Sequence, residues 1–256
     1  MPGLILPDWI GASATVAAFS STRGGGVSRT PYDDGSGSGG GGFNLGMNSG
    51  DAPATVMQNR RLLRAHLPAE PVWLQQEHGA TVVDAALAAG AAVAPVADAS
   101  FTGRAGVVCV VTTADCLPVL LCDGAGRVVA AAHAGWRGLA GGVLENTIAA
   151  MQAAGARDLI AWLGPAIGPT RFEVGADVHA VFTARDPRNS AAFRPLPDQP
   201  DKYLANLYHL ARLVLADNGV HRIAGGGFCT ADQAQPFFSY RREQCTGRMA
   251  SLIWLK

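Results

Sequence analysis

The stretch Thr112–Gly138, TTADCLPVLLCDGAGRVVAAAHAGWRG, constrains the fold more than any other part of this chain. Val107 to Val111 runs apolar and β-branched into it, Pro118 to Leu121 resumes the run, Gly124 to Gly126 turns the chain, and Val128 to Ala132 returns. Short apolar runs bounded by Gly and Asp predict strands. Their ends carry chemistry. Asp115 and Cys116 stand where the first strand gives way to a turn, and the last strand delivers His133 into Ala-Gly-Trp-Arg-Gly. A soft thiol and an imidazole at strand-to-loop junctions make half of a zinc site. The rest of the chain must supply a third ligand and a substrate pocket.

The flanking sequence reads as mixed structure. Ala14 to Ser20 predicts a strand. Asp51 as N-cap and Pro53 in the first turn open a helix that keeps Val56, Arg60, Leu63 and Leu67 in period. Val72 to Gln75 predicts a strand ending in Gln76-Glu77-His78-Gly79, so His78 also stands at a strand-to-loop junction. Thr81 to Asp84 continues extended, and Asp98 to Thr102 reads as a polar connection. A helix is expected from Gly138 to about Gly155, a strand over Leu159 to Leu163, and a second helix from Gly175 to about Ala184. Arg185 to Asp201 is Pro-rich and polar, which predicts a surface loop. Tyr203 to Asn218 has a helical leucine period closed by Gly219. Strands are expected over Val220 to Ala224 and Arg248 to Leu255. The pattern predicts an α+β fold, a single layered domain over residues 1–256 with mixed β-sheets flanked by helices. Gly35 to Gly42 (GSGSGGGG) reads as a flexible insertion. It fits GxGxxG only because nearly every position is Gly, with no strand before it and no helix after, so it carries no dinucleotide reading.

Composition narrows the function classes. The 20 basic and 20 acidic residues balance, which argues against nucleic acid or a membrane surface as a partner held by bulk electrostatics. The first ten residues, MPGLILPDWI, lack a basic n-region and a long apolar core, and no run approaches the roughly 18 apolar residues of a membrane span. Five cysteines without framework spacing predict free thiols or metal ligands in a reducing, cytoplasmic compartment.

His78, Cys116 and His133 are the candidate metal ligands. Their spacing matches no zinc finger; it suits separate loops meeting at one sheet edge, and three protein ligands leave a fourth position open for chemistry. The bland alternative is a buried packing cysteine between two hydrogen-bonded histidines. Asp115 reads as a ligand orienter or general base, or else as a turn residue capping backbone amides. Arg23, Arg29, Arg137, Arg241 and Arg242 lie in Gly- or aromatic-bearing loops, where guanidinium groups suit phosphate or carboxylate, although most arginines are simply solvated. Trp136 reads as a stacking platform or a core residue.

At this point the motifs become specific. TADCLPVLLCD, AAHAGWRGLAGGVLE, AWLGPAIGP with FEVG, FCT followed by FFSYRR, and TGRMASLIWL closely resemble the YfiH family, also known as laccase-domain or polyphenol oxidase proteins, purine nucleoside phosphorylases and peptidoglycan editing factors. TRGGGVSRTPY and FNLG extend the resemblance over nearly the whole chain. It implies zinc, with copper less favoured, on His78 of QEHG, Cys116 of TADC and His133 of AHAGW. Cys116, Asp115 and His133 are the expected catalytic residues, and Arg23, Asn44, Gln76, Arg137 and Arg241 the expected substrate and phosphate site. The implied substrates are adenosine, inosine, guanosine and methylthioadenosine, cleaved with phosphate, with adenosine deamination beside it. Two departures stand out. DDGSGSGGGG intrudes between the PY and NLG motifs, and Asn48 of LGMNSGD takes the place of a usual His. Glu77 also stands where Val commonly precedes the first ligand.

The leading expectation is therefore zinc-dependent purine nucleoside phosphorolysis. The rivals are a cysteine- or metal-dependent hydrolase editing peptidoglycan precursors, a copper polyphenol oxidase, and a structural zinc module with no activity. A multicopper site needs many imidazoles, and this chain has six, with His66, His179, His209 and His221 scattered.

Overall fold

The computed structural model describes residues 3–256. In chain order the elements are β1 (Leu4–Ile5), β2 (Val16–Ser21), β3 (Gly24–Ser28), α1 (Pro53–Arg64), β4 (Val82–Asp84), α2 (Ala85–Ala88), β5 (Ala99–Thr102), β6 (Val108–Thr113), β7 (Leu117–Asp123), β8 (Val129–Ala134), α3 (Trp136–Gly141) and α4 (Val143–Ala153). There follow β9 (Leu159–Leu163), β10 (Glu173–Gly175), α5 (Ala176–Arg185), a 3-10 segment (Pro187–Ala192), β11 (Phe193–Leu196), β12 (Gln199–Ala205), α6 (Leu207–Asp217), β13 (Arg222–Gly225), α7 (Tyr240–Glu243) and β14 (Met249–Leu255).

Two sheets form the centre. One has the order β1-β2-β14-β6 and is antiparallel throughout. The other has the order β13-β9-β7-β8-β5-β4 and is mixed, with β13–β9 and β4–β5 parallel. Strand residues alternate between faces. Leu120 and Cys122 of β7 pack with Cys109, Val111 and Ile253 in the layer between the sheets. Val119 and Leu121 point the other way, onto Leu144, Ile148 and Met151 of α4 and Leu210 of α6. Both faces of β7 are buried, which is why its sequence is one continuous apolar run. Val110 and Leu252 face out of the four-stranded sheet onto Leu63 of α1. The order of layers is helix, sheet, sheet, helix, with the small β10-β12-β11 sheet beside α5. The expected layered α+β domain is the fold observed.

Several local expectations are corrected. Asp51 does not cap α1. The N-cap is Ala52, and the Asp51 carboxylate instead accepts from Ser28 Oγ at 2.6 Å and Asn44 Nδ2 at 3.0 Å. Val72 to Gln75 forms only isolated bridges, to Cys109 and Val96. The helix after Gly138 is two helices, split at Gly142, whose φ of 94° lies in the left-handed region. Arg185–Asp201 is no loop: it holds the 3-10 segment, β11 and the start of β12. Tyr203 to Ala205 belongs to β12 because it pairs with both β10 and β11, and α6 begins only after Asn206, whose side chain accepts from His209 N. The glycine insertion divides in two. Residues 35–39 are exposed, but Gly41 O accepts from both Gly25 N and Gly26 N, and a Cβ at Gly41 or Gly42 would run into the Gly26 or Tyr32 backbone.

Register explains where the chemistry gathers. Leu117 pairs with Ala134, so Cys116 and His133 lie at the same end of the β7–β8 hairpin. Ala99 pairs with Ala132, which brings Asp98 beside His133, and Val82 pairs with Ala99, which brings the His78 loop alongside. Met249 pairs with Thr113, so Arg248 lies at that end of the four-stranded sheet.

Candidate metal centre and its cavity

His78, Cys116 and His133 converge. Their ligand atoms all lie within 4.8 Å of one another, and no other such group of three is found among the described residues. Cys116 Sγ is 3.7 Å from His78 Nε2. Usual zinc bond lengths in a tetrahedron put sulfur and nitrogen ligands about 3.5 Å apart, so the donor set fits one borderline-soft ion. His133 is buried and His78 is exposed, so the group opens to one side. Gly135 lies against it: a Cβ there would come within 2.9 Å of Cys116 Sγ and 3.1 Å of His78 Cδ2.

The electrostatics suit a cation. Burial alone would raise the Cys116 thiol pKa, but the His133 and His78 rings beside it outweigh burial and bring it well below the ordinary thiol value. Burial alone would lower His133; the Cys116 thiolate and Asp98 outweigh that and raise it. Asp98 is fully buried, and its carboxylate faces both histidine segments. Burial would push its pKa up, yet His133 and the Gly79 and Glu77 amides lower it.

The group forms one end of a cavity of about 550 Å³. Asp115, Gln76, Arg60, Arg241, Arg248 and Trp73 are among its walls. Asp115 adopts φ 87°, a strained conformation for a non-glycine residue. Thr230 Oγ1 and Arg241 N each donate to its carboxylate at 2.6 Å, one to each oxygen, and Ile167 N donates to its carbonyl. Gln76 is tied on both amide atoms to Thr112. Arg60 stacks 3.6 Å above Trp73 and donates to Leu45 O, and burial lowers its pKa to about 10. Arg248 donates to Thr246 O and Gly247 O, and burial lowers its pKa too. Arg241 donates to Arg171 O and Glu173 O. None of these three guanidinium groups makes a salt bridge among the described residues, so the cavity wall holds three cationic groups against the single carboxylate of Asp115.

The family model described as multi-copper polyphenol oxidoreductase laccase matches residues 17–256. The chain belongs to this family, which includes the YfiH proteins. It is 51% identical to the purine nucleoside phosphorylase YfiH of Escherichia coli, over all of both chains. It is 46% identical, again end to end, to a purine nucleoside phosphorylase of Pseudomonas aeruginosa. Its fold matches the crystal structure of a Neisseria meningitidis protein with a TM-score of 0.89 and 47% identity, over 99% of each chain.

Against the YfiH-family expectations, the structure brings Cys116, Asp115, His133, His78, Gln76 and Arg241 to one cavity. Three others lie elsewhere. Arg23 is buried and occupied by Asp33 and Glu243, with Nη1 2.5 Å from Glu243 Oε1. Asn44 is fully buried, donating to Ser49 and Asp51 and accepting from Arg248 N, so it braces the wall from behind. Arg137 is exposed and stacks over Trp136, outside the cavity lining, while Trp136 packs on the main core. Two expected loop arginines are also accounted for without the cavity: Arg242 holds backbone carbonyls of Thr230, Ala231 and Phe237, and Arg29 does not line it. The sequence reading missed Arg60, Arg248 and Asp98. Arg60 read as one helix position among many, Arg248 as the first residue of a strand, and Asp98 as part of a polar connection.

Proposed function

We propose that this protein is a zinc-dependent purine nucleoside phosphorylase. The observation that carries the reading is the meeting, in one cavity, of a His-Cys-His group, a strained carboxylate and three unpaired guanidinium groups. The relatives' activity supports it.

In phosphorolysis a phosphate oxygen bonds to C1′ of the ribose while the bond to the purine nitrogen breaks. The bonding electrons leave with the base, which takes up a proton. Positive charge builds on the ribose, as in glycoside cleavage. Arg60, Arg241 and Arg248 hold the phosphate, since bidentate guanidinium donors match its oxygens. Asp115 is fixed by Thr230 and Arg241 N and relays a proton from solvent water to the leaving purine ring. Phe172 offers a flat face to the base or ribose. Zinc held by His78, Cys116 and His133 would act as a Lewis acid on the leaving base. Adenosine deamination, in which water adds at C6 of the purine and ammonia leaves, would draw on the same groups. Two imidazoles suit a single soft ion and not a multicopper cluster, and His66 lines a recess away from this cavity. On its five cysteines without framework spacing we place the activity in the cytoplasm, with nucleoside and phosphate as small-molecule partners.

A second reading has its own observation. The lowered Cys116 pKa beside His133 resembles an activated nucleophile, which fits a cysteine hydrolase. Elemental analysis with chelation separates the two. One zinc per chain, with activity lost on chelation and restored by zinc, supports the phosphorylase. Activity that survives chelation and is lost on thiol alkylation supports the hydrolase.

A further inference from the structure

We infer that Asp98 is the positioning residue of the metal centre, the single carboxylate that sets both histidine ligands at once; this rests on the zinc reading above. Its two oxygens divide the work. Oδ1 accepts from His133 Nδ1 at 2.8 Å and from His78 N at 2.9 Å. Oδ2 accepts from Gly79 N at 2.6 Å and Glu77 N at 3.2 Å. The Asp98 carbonyl also accepts from His133 N at 2.7 Å. All of this occurs with Asp98 fully buried, so no water competes.

Two consequences follow for the ligands. His133 donates through Nδ1, which keeps the proton there and leaves the Nε2 lone pair as the metal-binding atom. His78 sits at φ 62°, in the left-handed region, where a non-glycine residue is strained. Three successive amides, Glu77 to Gly79, aim at one carboxylate, and these bonds hold that strained turn closed. Asp98 reaches His78 and His133 across 20 and 35 residues of sequence. Cys116 is placed separately, by the start of β7, so the Asp98 contacts are the link common to the other two ligands.

The chain contains its own control. Asp123, at the other end of β7, is also fully buried and also accepts from backbone and guanidinium donors, but it touches no ligand. Asp98→Asn keeps an oxygen for His133 but puts an amide against the Glu77 and Gly79 donors. The test is zinc affinity of metal-free wild type, Asp98→Asn and Asp123→Asn, measured by competition with a chromophoric chelator on protein shown to be folded by circular dichroism. Asp98→Asn should bind zinc about 10–100-fold more weakly, and Asp123→Asn should match wild type. Equal affinity in all three overturns the role of Asp98. A wild type that takes up no zinc overturns the metal reading instead, and the role with it. Should Asp98→Asn fail to fold, histidine-ring NMR of the zinc-loaded wild type decides. The proposal requires the His133 proton on Nδ1 with the metal on Nε2, and the reverse assignment contradicts it.

Discussion

At its far end the β7–β8 hairpin closes through Asp123, whose carboxylate accepts from Arg127 Nη2 and Ala125 N at 2.7 Å and from Arg157 N at 2.9 Å. At its near end the same two strands emerge beside Cys116 and His133, among two residues with left-handed backbone, His78 and Asp115. At the far end the buried Asp123 carboxylate is paired with Arg127; at the near end three guanidinium groups line the cavity without an ion pair. The strands are alike, so the sheet does not account for the contrast. Left-handed backbone occurs at both ends, since Asp158 at φ 48° accepts from Gly124 N at the far end, so the unpaired charge is what sets the near end apart, and a fold keeps such charge where it binds or reacts with something. The far end shows what this sequence does with a buried carboxylate when only stability is at stake.

Four changes would break or sharpen that contrast. Cys116→Ala should have the largest effect. Loss of the thiolate ligand should cut phosphorolysis by about a hundredfold or more and remove bound zinc, while thermal unfolding changes little; retained activity would detach the near end from metal chemistry. Arg248→Met comes next. Charge-assisted hydrogen bonds contribute about 1.5–3 kcal/mol, so the KM for phosphate should rise about 10–100-fold. An unchanged KM would make Arg248 a wall residue only. Gly135→Ala should weaken zinc binding about tenfold, because the new methyl presses on Cys116 Sγ and His78. Equal zinc affinity there would show that the ligands move aside freely.

Asp123→Asn should leave catalysis untouched and cost about 1.5–3 kcal/mol of stability at neutral pH, as hydrogen bonds to a charged group are lost. Its sign with pH is fixed. Burial opposes ionisation of Asp123, but Arg127 and the Arg157 and Ala125 amides lower its folded pKa. The stabilisation is then fully present above the unfolded value of about 3.9 and disappears as pH falls through the lower folded pKa. Wild type and variant should converge in acid denaturation, and a gap that widens in acid would contradict the assignment.

The sequence made the far end and the strands readable because both faces of β6, β7 and β8 are buried, and long apolar runs between Gly and Asp have few other meanings. The three candidate metal ligands were legible at strand-to-loop junctions, although the stretch before His78 forms only isolated bridges, and the family motifs sharpened them. Other features depended on contacts that no local pattern records. Tyr203 and Leu204 continue the leucine period of α6, yet they pair in a sheet; Asn206, three residues before His209, was the signal that the helix starts later. Arg23 sits in a glycine-rich loop like an anion ligand, but the fold spends it on Asp33 and Glu243. Arg60 and Arg248 reach the cavity only because Met249 pairs with Thr113 and α1 packs below Trp73. Asp98 has no motif at all; its meaning lies in four donors, three from the Glu77–Gly79 loop and one from strand β8.

The central claim, that the near end is a phosphate-using purine nucleoside site, is tested most directly by product analysis with inosine on zinc-loaded protein, with and without inorganic phosphate. The account predicts hypoxanthine and ribose 1-phosphate in equal amounts, formed only when phosphate is present. Free ribose formed at the same rate without phosphate, or no cleavage of any purine nucleoside by fully loaded protein, would contradict it.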